Sequence, residues 1–207
     1  MKQLLYLVFL FLLATACANP GSGPDGGPYD EELPYVVSTT PASGDSGVKG
    51  RRVTLQFNEF IKLENASEKV TVSPPQIEMP DILTSGKRIT VTLNDSLRPN
   101  TTYTIDFSDA IEDNNEGNPL YNFAFAFSTG EQIDTMRVSG IVLDSHTLEP
   151  MQGVVVGLHD DLSDSAFFKT KMKRVALTND RGQFTIRNLK PGKYHIFGLK
   201  DLDRDYK

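Results

Sequence analysis

The chain has 207 residues, a formal net charge of −6, one cysteine and no tryptophan. Because domains commonly contain about 100–150 residues, this length predicts one large domain or two small ones. The 21 basic and 27 acidic residues exclude the concentrated positive surface of a general nucleic-acid binder, and a single cysteine excludes an internal disulfide bond.

The N-terminal segment combines one positive charge, Lys2, with the continuous apolar run LLYLVFLFLL at residues 4–13. A helix needs about 20 apolar residues to cross a bilayer, so this run is too short to span one. The small residues Ala14, Thr15 and Ala16 follow it directly, which is typical of a cleaved secretory signal. We therefore predict a signal peptide over residues 1–16.

The only cysteine, Cys17, comes directly after these small residues. The stretch LATAC resembles the lipobox of bacterial lipoproteins, although Ala14 stands where that family prefers Leu. The resemblance implies cleavage before Cys17 and attachment of acyl chains to it, which would anchor the protein in a membrane. It implies a lipid-anchored envelope protein, in the outer membrane of a Gram-negative bacterium, and leaves open which side of that membrane is occupied. The alternative is an ordinary signal peptide that leaves Cys17 as a free thiol.

Residues 18–32, ANPGSGPDGGPYDEE, are rich in Gly, Pro and acidic side chains and have no periodicity. Such a composition cannot bury enough apolar surface to fold by itself. We predict that residues 17–32 form a lipidated N-terminus and a flexible linker.

Residues 33–130 show short apolar–polar alternations separated by turn residues, which predicts strands of an antiparallel β-sandwich. The alternating segments are RRVTLQF, KVTVS, RITVTL, TYTIDF and NFAFAFS.

The same region resembles the bacterial Ig-like domain of S-layer and cell-envelope proteins. The resemblance rests on VVSTTPASGDSGV, VTLQFNEFIKL, LRPNTTYTIDF, AIEDNNEGNPL and FAFST, in that order. It implies that the PNTTY element and the DNNEGN loop shape the sandwich and carry no chemistry, so Tyr103 is expected to be a structural core residue.

The loop DAIEDNNEGNP at 109–119 contains Asp109, Asp113 and Glu116 close together. Oxygen ligands at alternate positions are those that Ca²⁺ prefers, which makes these three residues weak candidates for a metal site. The loop lacks the ordered ligand spacing of an EF-hand, and a solvated tight turn explains the same composition. We expect the turn, and keep calcium as the alternative.

Residues 135–207 again alternate, in RVSGIVLD, GVVVGLHD, TNDRGQFTIRNL and YHIFGLKD, with Phe184 and Ile186 on one face and Tyr194 and Ile196 on another. VSGIVLD, TLEP, GVVVGL, TNDRGQFTI and LKPGKYHI resemble the transthyretin-like (prealbumin-like) domain of carboxypeptidase regulatory regions. The resemblance implies an accessory β-sandwich without catalytic machinery, and a further strand after residue 201. We therefore expect this second domain to be incomplete.

The final residues, DLDRDYK, place Asp201, Asp203 and Asp205 at alternate positions, as at the start of a calcium loop. The required glycine and distal glutamate do not follow, so a solvated acidic tail is the preferred interpretation.

Other candidate groups are few. His159, Asp160 and Asp161 could supply metal ligands, but a surface histidine beside two carboxylates is more often solvated. The segment KTKMKR at 169–174 is expected to be an exposed basic cluster, and the neighbouring Phe167 and Phe168 to pack beneath it or form a binding edge. We find no nucleophile–base motif and predict that the protein is not an enzyme.

The sequence thus predicts an all-β protein with two tandem antiparallel β-sandwiches behind a signal peptide and a tether. Its predicted role is a non-catalytic one, structural or in binding an envelope protein or a glycan, with no resident cofactor. The alternative is a calcium- or carbohydrate-binding module of a larger envelope complex.

Overall fold

The computed structural model describes residues 30–163 and 165–201. These residues form 14 strands and two one-turn helices, and every strand pair is antiparallel. This confirms the predicted all-β class. Residues 31–201 belong to one compact unit, in which we distinguish a first β unit (33–130) and a second β unit (135–201). The predicted signal peptide, Cys17 and most of the predicted linker lie outside the described residues.

The first β unit contains nine strands and one short helix. Its elements are β1 (Val36–Thr40), β2 (Arg52–Phe57), β3 (Ile61–Leu63), α1 (Ala66–Lys69), β4 (Thr71–Ser73), β5 (Asp81–Ser85), β6 (Arg88–Thr92), β7 (Thr102–Ser108), β8 (Ile111–Asp113) and β9 (Phe123–Ser128). They form a four-stranded sheet in the order β1-β2-β6-β5, a three-stranded sheet β4-β7-β9 and a two-stranded sheet β3-β8.

The core of the first unit lies between these sheets. It contains the inward-facing residues of the predicted alternation, including Val53, Leu55 and Phe57 of β2, because side chains two apart share one face of a strand. Tyr103 is 1% exposed, and its ring stacks on that of Phe127 with the ring centroids 5.4 Å apart. Its hydroxyl accepts a hydrogen bond from the backbone N–H of Arg98. The prediction that Tyr103 is a core residue is confirmed.

The second β unit has five strands and one short helix. Its elements are β10 (Met136–Ile141), β11 (Val155–His159), α2 (Ala166–Lys169), β12 (Arg174–Leu177), β13 (Gln183–Leu189) and β14 (His195–Leu199). They form a two-stranded sheet β10-β13 and a three-stranded sheet β12-β11-β14. One core packs between the two sheets around Val156, Leu158 and Ile186. A second, smaller core packs around Val155, Met172 and Val175, with Phe167 against it.

The second unit departs from the sequence predictions at two places. Ile196 is 50% exposed, because β14 turns the alternate residues His195, Phe197 and Leu199 inward instead. The segment 169–174 is not a uniformly exposed basic cluster, since Met172 and Arg174 are buried.

Candidate functional site

The two β units meet along the outer face of β4 and β7. That face carries Ser73, Thr102 and Thr104, all at most 5% exposed, although their positions alternate with core residues. They are polar and point away from the core of the first unit, so their burial comes from the second unit packing over them.

Arg174 of β12 is the central cation of this joint. Its guanidinium donates a hydrogen bond to the backbone carbonyl of Thr102 and lies 3.8 Å from the Asp134 carboxylate. Asp134 in turn accepts a hydrogen bond from the Thr102 hydroxyl at 2.9 Å. A buried arginine needs such partners, because an unpaired charge is costly to remove from water.

Further hydrogen bonds extend the joint on both sides of Arg174. The Val175 N–H donates to the Ser73 hydroxyl at 3.2 Å. The Asn188 side chain accepts from the Thr104 hydroxyl at 2.9 Å and donates to the Asp134 carbonyl at 2.8 Å. Polar side chains therefore link four strands and the connecting segment by hydrogen bonds that run between the two units.

Next to this joint the two units separate and leave a polar cleft of about 700 Å³. Its walls come from α1, the ends of β4 and β7, strand β13, the 179–180 turn and Asp201. Five carboxyl side chains and two cationic side chains line it, together with several amides and hydroxyls. We call this feature the interunit cleft.

Three side chains on neighbouring strands form the inner wall of the interunit cleft: Thr71, Asp106 and Arg187. Thr71 and Asp106 are directly opposite each other in the β4–β7 pair and so share one face. Burial raises the pKa of Asp106 above its ordinary value, while the Ser108 N–H and the positive charge of Arg187 act in the opposite direction.

The structure assigns a structural role to Asp113, one of the predicted metal candidates. Its Oδ1 accepts hydrogen bonds from the N–H groups of Asn115, Glu116 and Gly117 at 2.9, 2.6 and 3.1 Å, and its Oδ2 accepts one from Asn118 at 2.7 Å. Desolvation alone would raise the pKa of Asp113, but these four N–H groups outweigh it and the pKa is lowered. The carboxylate therefore closes the 113–118 loop from within.

The other candidates for metal ligands are dispersed. Asp109 forms an ion pair with Lys69 at 3.2 Å, and both residues line the interunit cleft, as does Asp201. Glu116 contributes its N–H to the Asp113 loop. Asp203 and Asp205 lie outside the described residues. Within the described parts of the chain, no three His, Cys, Asp or Glu side chains come together as a metal site.

His159 contradicts its predicted solvated position, because it is only 1% exposed. Its Nδ1 lies 3.0 Å from the Thr170 hydroxyl, and its ring contacts Phe197 and Phe167 edge-on. Burial lowers the pKa of His159, and His195 adds to this, while Asp160 and Asp161 act in the opposite direction. Of the two aromatic residues expected to pack beneath the 169–174 segment or to form a binding edge, Phe167 packs against Phe197, whereas Phe168 is 84% exposed.

Sequence reasoning missed the interunit cleft. Thr71, Asp106 and Arg187 are far apart in the chain and belong to no linear motif. The available signal was modest: charged residues at the outward positions of otherwise apolar strands, TYTIDF and FTIRNL.

These features define an all-β protein in which an antiparallel sandwich packs against a second β unit through a polar joint. Residues 30–129 match the family model of a bacterial Ig-like domain, which covers the first β unit and leaves the second unmatched. The Ig-like resemblance of the first unit is thereby confirmed.

No curated protein matches the chain. Among solved structures, the N-terminal part of the bacterial S-layer protein SbsC is similar with 17% identity and a TM-score of 0.34, covering 82% of this chain and 45% of that one. An L,D-transpeptidase from Mycobacterium smegmatis has 12% identity and a TM-score of 0.33, with 79% of each chain covered. BcpA, the major pilin subunit of Bacillus cereus, has 12% identity and a TM-score of 0.25; the match covers 81% of this chain and 59% of the pilin chain.

The chain thus spans less than half of the S-layer fragment that it resembles. With TM-scores of 0.34, 0.33 and 0.25, these similarities indicate no function for this chain. No helix among residues 30–163 and 165–201 has the length and apolar content needed to cross a membrane.

Proposed function

We propose that the protein is a non-catalytic, lipid-anchored component of the bacterial cell envelope, with a structural or interaction role. In this proposal residues 1–16 are a signal peptide, Cys17 carries the lipid and residues 17–32 are the tether. The second β unit is a transthyretin-like domain, and the membrane is the outer membrane of a Gram-negative bacterium. The match of residues 30–129 to the bacterial Ig-like family supports an envelope protein. The proposal gives this protein no catalytic role.

The observation that carries the structural role is the joint around Arg174. An arginine 7% exposed, paired with Asp134 and a backbone carbonyl, holds the two β units as one body. Units joined in this way do not move independently as domains on a flexible linker do, which suits a structural envelope module.

The lipid anchor is tested by replacing Cys17 with Ala in the full-length precursor and following membrane retention. We expect the wild-type protein to sediment with membranes and to resist extraction by salt, because two or more acyl chains give stable anchoring. The variant should be released, while the matched Ser22→Ala variant should stay bound. Equal retention of the Cys17→Ala variant would exclude lipidation at this residue.

The joint is tested by Arg174→Met, which keeps an apolar stem and removes the charge. Because Asp134 and the Thr102 carbonyl lose their partner, the variant should lose about 3 kcal/mol of stability in urea unfolding. Arg181→Met, at an exposed position, is the control and should change stability by less than about 0.5 kcal/mol. If both variants unfold like the wild type, the joint does not hold the two units together.

A further inference from the structure

We propose that the interunit cleft is a binding site for a neutral or amine-bearing saccharide, held by Asp106, Arg187 and Thr71. The proposal rests on the interaction role proposed above, because it names the chemical class of the partner. It does not depend on the lipid anchor, since the residues involved all lie in the folded β units.

The inner wall of the cleft carries polar atoms that the protein itself leaves unmatched. Among the described residues, four buried side-chain atoms have no hydrogen-bond partner: Thr71 Oγ1, Gln76 Oε1, His159 Nε2 and Arg187 Nε. Two of the four, Thr71 Oγ1 and Arg187 Nε, belong to residues that line the cleft. Thr71 is only 4% exposed. Buried polar atoms are nearly always paired, and two unpaired ones at the same wall indicate a partner from outside the chain.

The three side chains are complementary to a hydroxyl group. Arg187 Nε–H can only donate, a carboxylate at Asp106 can only accept, and the Thr71 hydroxyl does either. A sugar hydroxyl donates one hydrogen bond and accepts others, so a single hydroxyl can bridge Asp106 and Arg187. Asp106 and Arg187 both line the cleft, and the positive charge of Arg187 acts to lower the pKa of Asp106.

The charge and size of the cleft narrow the ligand further. Five carboxyl side chains against two cationic ones disfavour a phosphate or another anion and favour a neutral or amine-bearing ligand. The volume of about 700 Å³ lies within the range of about 300–1,000 Å³ that small-molecule sites occupy. The amides of Asn122 and Gln152 also line the cleft, and an amide can donate to and accept from further sugar hydroxyls.

The test is binding of two probes to the purified full chain by isothermal titration and saturation-transfer NMR. The probes are tri-N-acetylchitotriose, which is neutral, and its de-N-acetylated form, which carries amines; inorganic phosphate and Ca²⁺ serve as comparison ligands. We expect saturable binding of at least one saccharide. Asp106→Asn and Arg187→Gln should each weaken it by roughly tenfold, as expected for loss of one charge-assisted hydrogen bond.

Two further variants separate binding from folding. Thr71→Val keeps the shape of the side chain and removes an unpaired hydroxyl. It should therefore preserve or raise the melting temperature and weaken saccharide binding. Asp81→Asn, at an exposed strand position outside the cleft, should leave binding unchanged. The proposal is overturned if neither saccharide binds, if only phosphate or Ca²⁺ binds, or if the cleft variants bind like the wild type. It is also overturned if a crystal structure grown with the saccharides shows only water against Thr71 and Arg187.

Discussion

Replacement of Asp113 by Asn tests the role of the acidic loop, because it changes one atom of the carboxylate and keeps its shape. In the structure Oδ1 accepts three backbone N–H groups and Oδ2 accepts one, from Asn118. If the amide oxygen of the variant takes the place of Oδ1, three hydrogen bonds remain, each to a neutral acceptor. The N–H of Asn118 then faces an amide NH₂ group, so that hydrogen bond is lost.

The expected cost follows from these contacts. Hydrogen bonds to a charged group contribute about 1.5–3 kcal/mol and neutral ones about 0.5–1.5 kcal/mol, so weakening three and losing one removes several kcal/mol in a dry site. The loop borders solvent and water replaces part of this, which reduces the expected loss to about 3 kcal/mol. For a protein of this size that corresponds to a decrease of roughly 6–12 °C in the melting temperature.

The assay is thermal unfolding followed by far-ultraviolet circular dichroism at neutral pH. Asp109→Asn is the matched control: this carboxylate is exposed to solvent and pairs with Lys69, so its loss should change stability by less than about 1 kcal/mol. A decrease of under about 2 °C for Asp113→Asn would refute the structural role. So would a rise in melting temperature with millimolar Ca²⁺ that occurs in the wild type and disappears in the variant, since the carboxylate would then bind calcium.

Two further predictions concern the second β unit. Burial lowers the pKa of His159 in the folded protein below its ordinary value of 6.5. Between the folded and the unfolded pKa the unfolded chain binds more protons, so stability should fall as pH decreases through that interval. His159→Gln should flatten this slope in pH-dependent melting curves, whereas the exposed His146→Gln should leave it unchanged. Gly182→Ala places a methyl group 2.5 Å from the Val142 carbonyl at a φ of +69° and should cost about 3 kcal/mol in urea unfolding. Gly153→Ala has a similar φ of +72° and open space around it, so a cost of only about 1 kcal/mol is expected there, and equal losses would contradict the steric argument.

The core of the first β unit was predictable because alternation marks which side chains share a face. Val53, Leu55 and Phe57, and likewise Ile89 and Val91, are buried as the sequence indicates. The predicted alternating segments do not include β1, β3, β5, β8 or β12. Three of these strands, β3, β8 and β12, have only three or four residues, which leaves little length in which an alternation can be recognised. Strands β3 and β8 pair with each other, and β12 pairs with the five-residue strand β11.

Alternation could not predict what covers the other face of a strand. Ser73, Thr102 and Thr104 are polar and alternate with apolar residues, which normally indicates a solvated face. They are buried because residues further along the chain pack over them and supply hydrogen-bond partners. The side chain of Asp134 accepts from the Thr102 hydroxyl, that of Asn188 accepts from the Thr104 hydroxyl, and the Val175 N–H donates to the Ser73 hydroxyl. His159 was misjudged for the same reason, since its apolar neighbours Phe167 and Phe197 come from separate elements.

The acidic residues show how closeness in sequence and closeness in space diverge. Asp109 and Asp113 are four residues apart and suggested one metal site, yet Asp113 points into its own loop while Asp109 borders the interunit cleft. Asp201, from the far end of the chain, lines that same cleft. In a sharp turn, a buried carboxylate accepts hydrogen bonds from backbone N–H groups, and in a cleft between two packed units, polar residues at strand ends are exposed. Aspartate is suited to both positions, so its presence in a sequence does not distinguish a turn residue from a ligand-binding residue. The hydrogen-bond partners make the distinction. Asp113 accepts hydrogen bonds from N–H groups of its own loop, whereas the cleft that Asp106 lines also holds two buried atoms without a partner, Thr71 Oγ1 and Arg187 Nε.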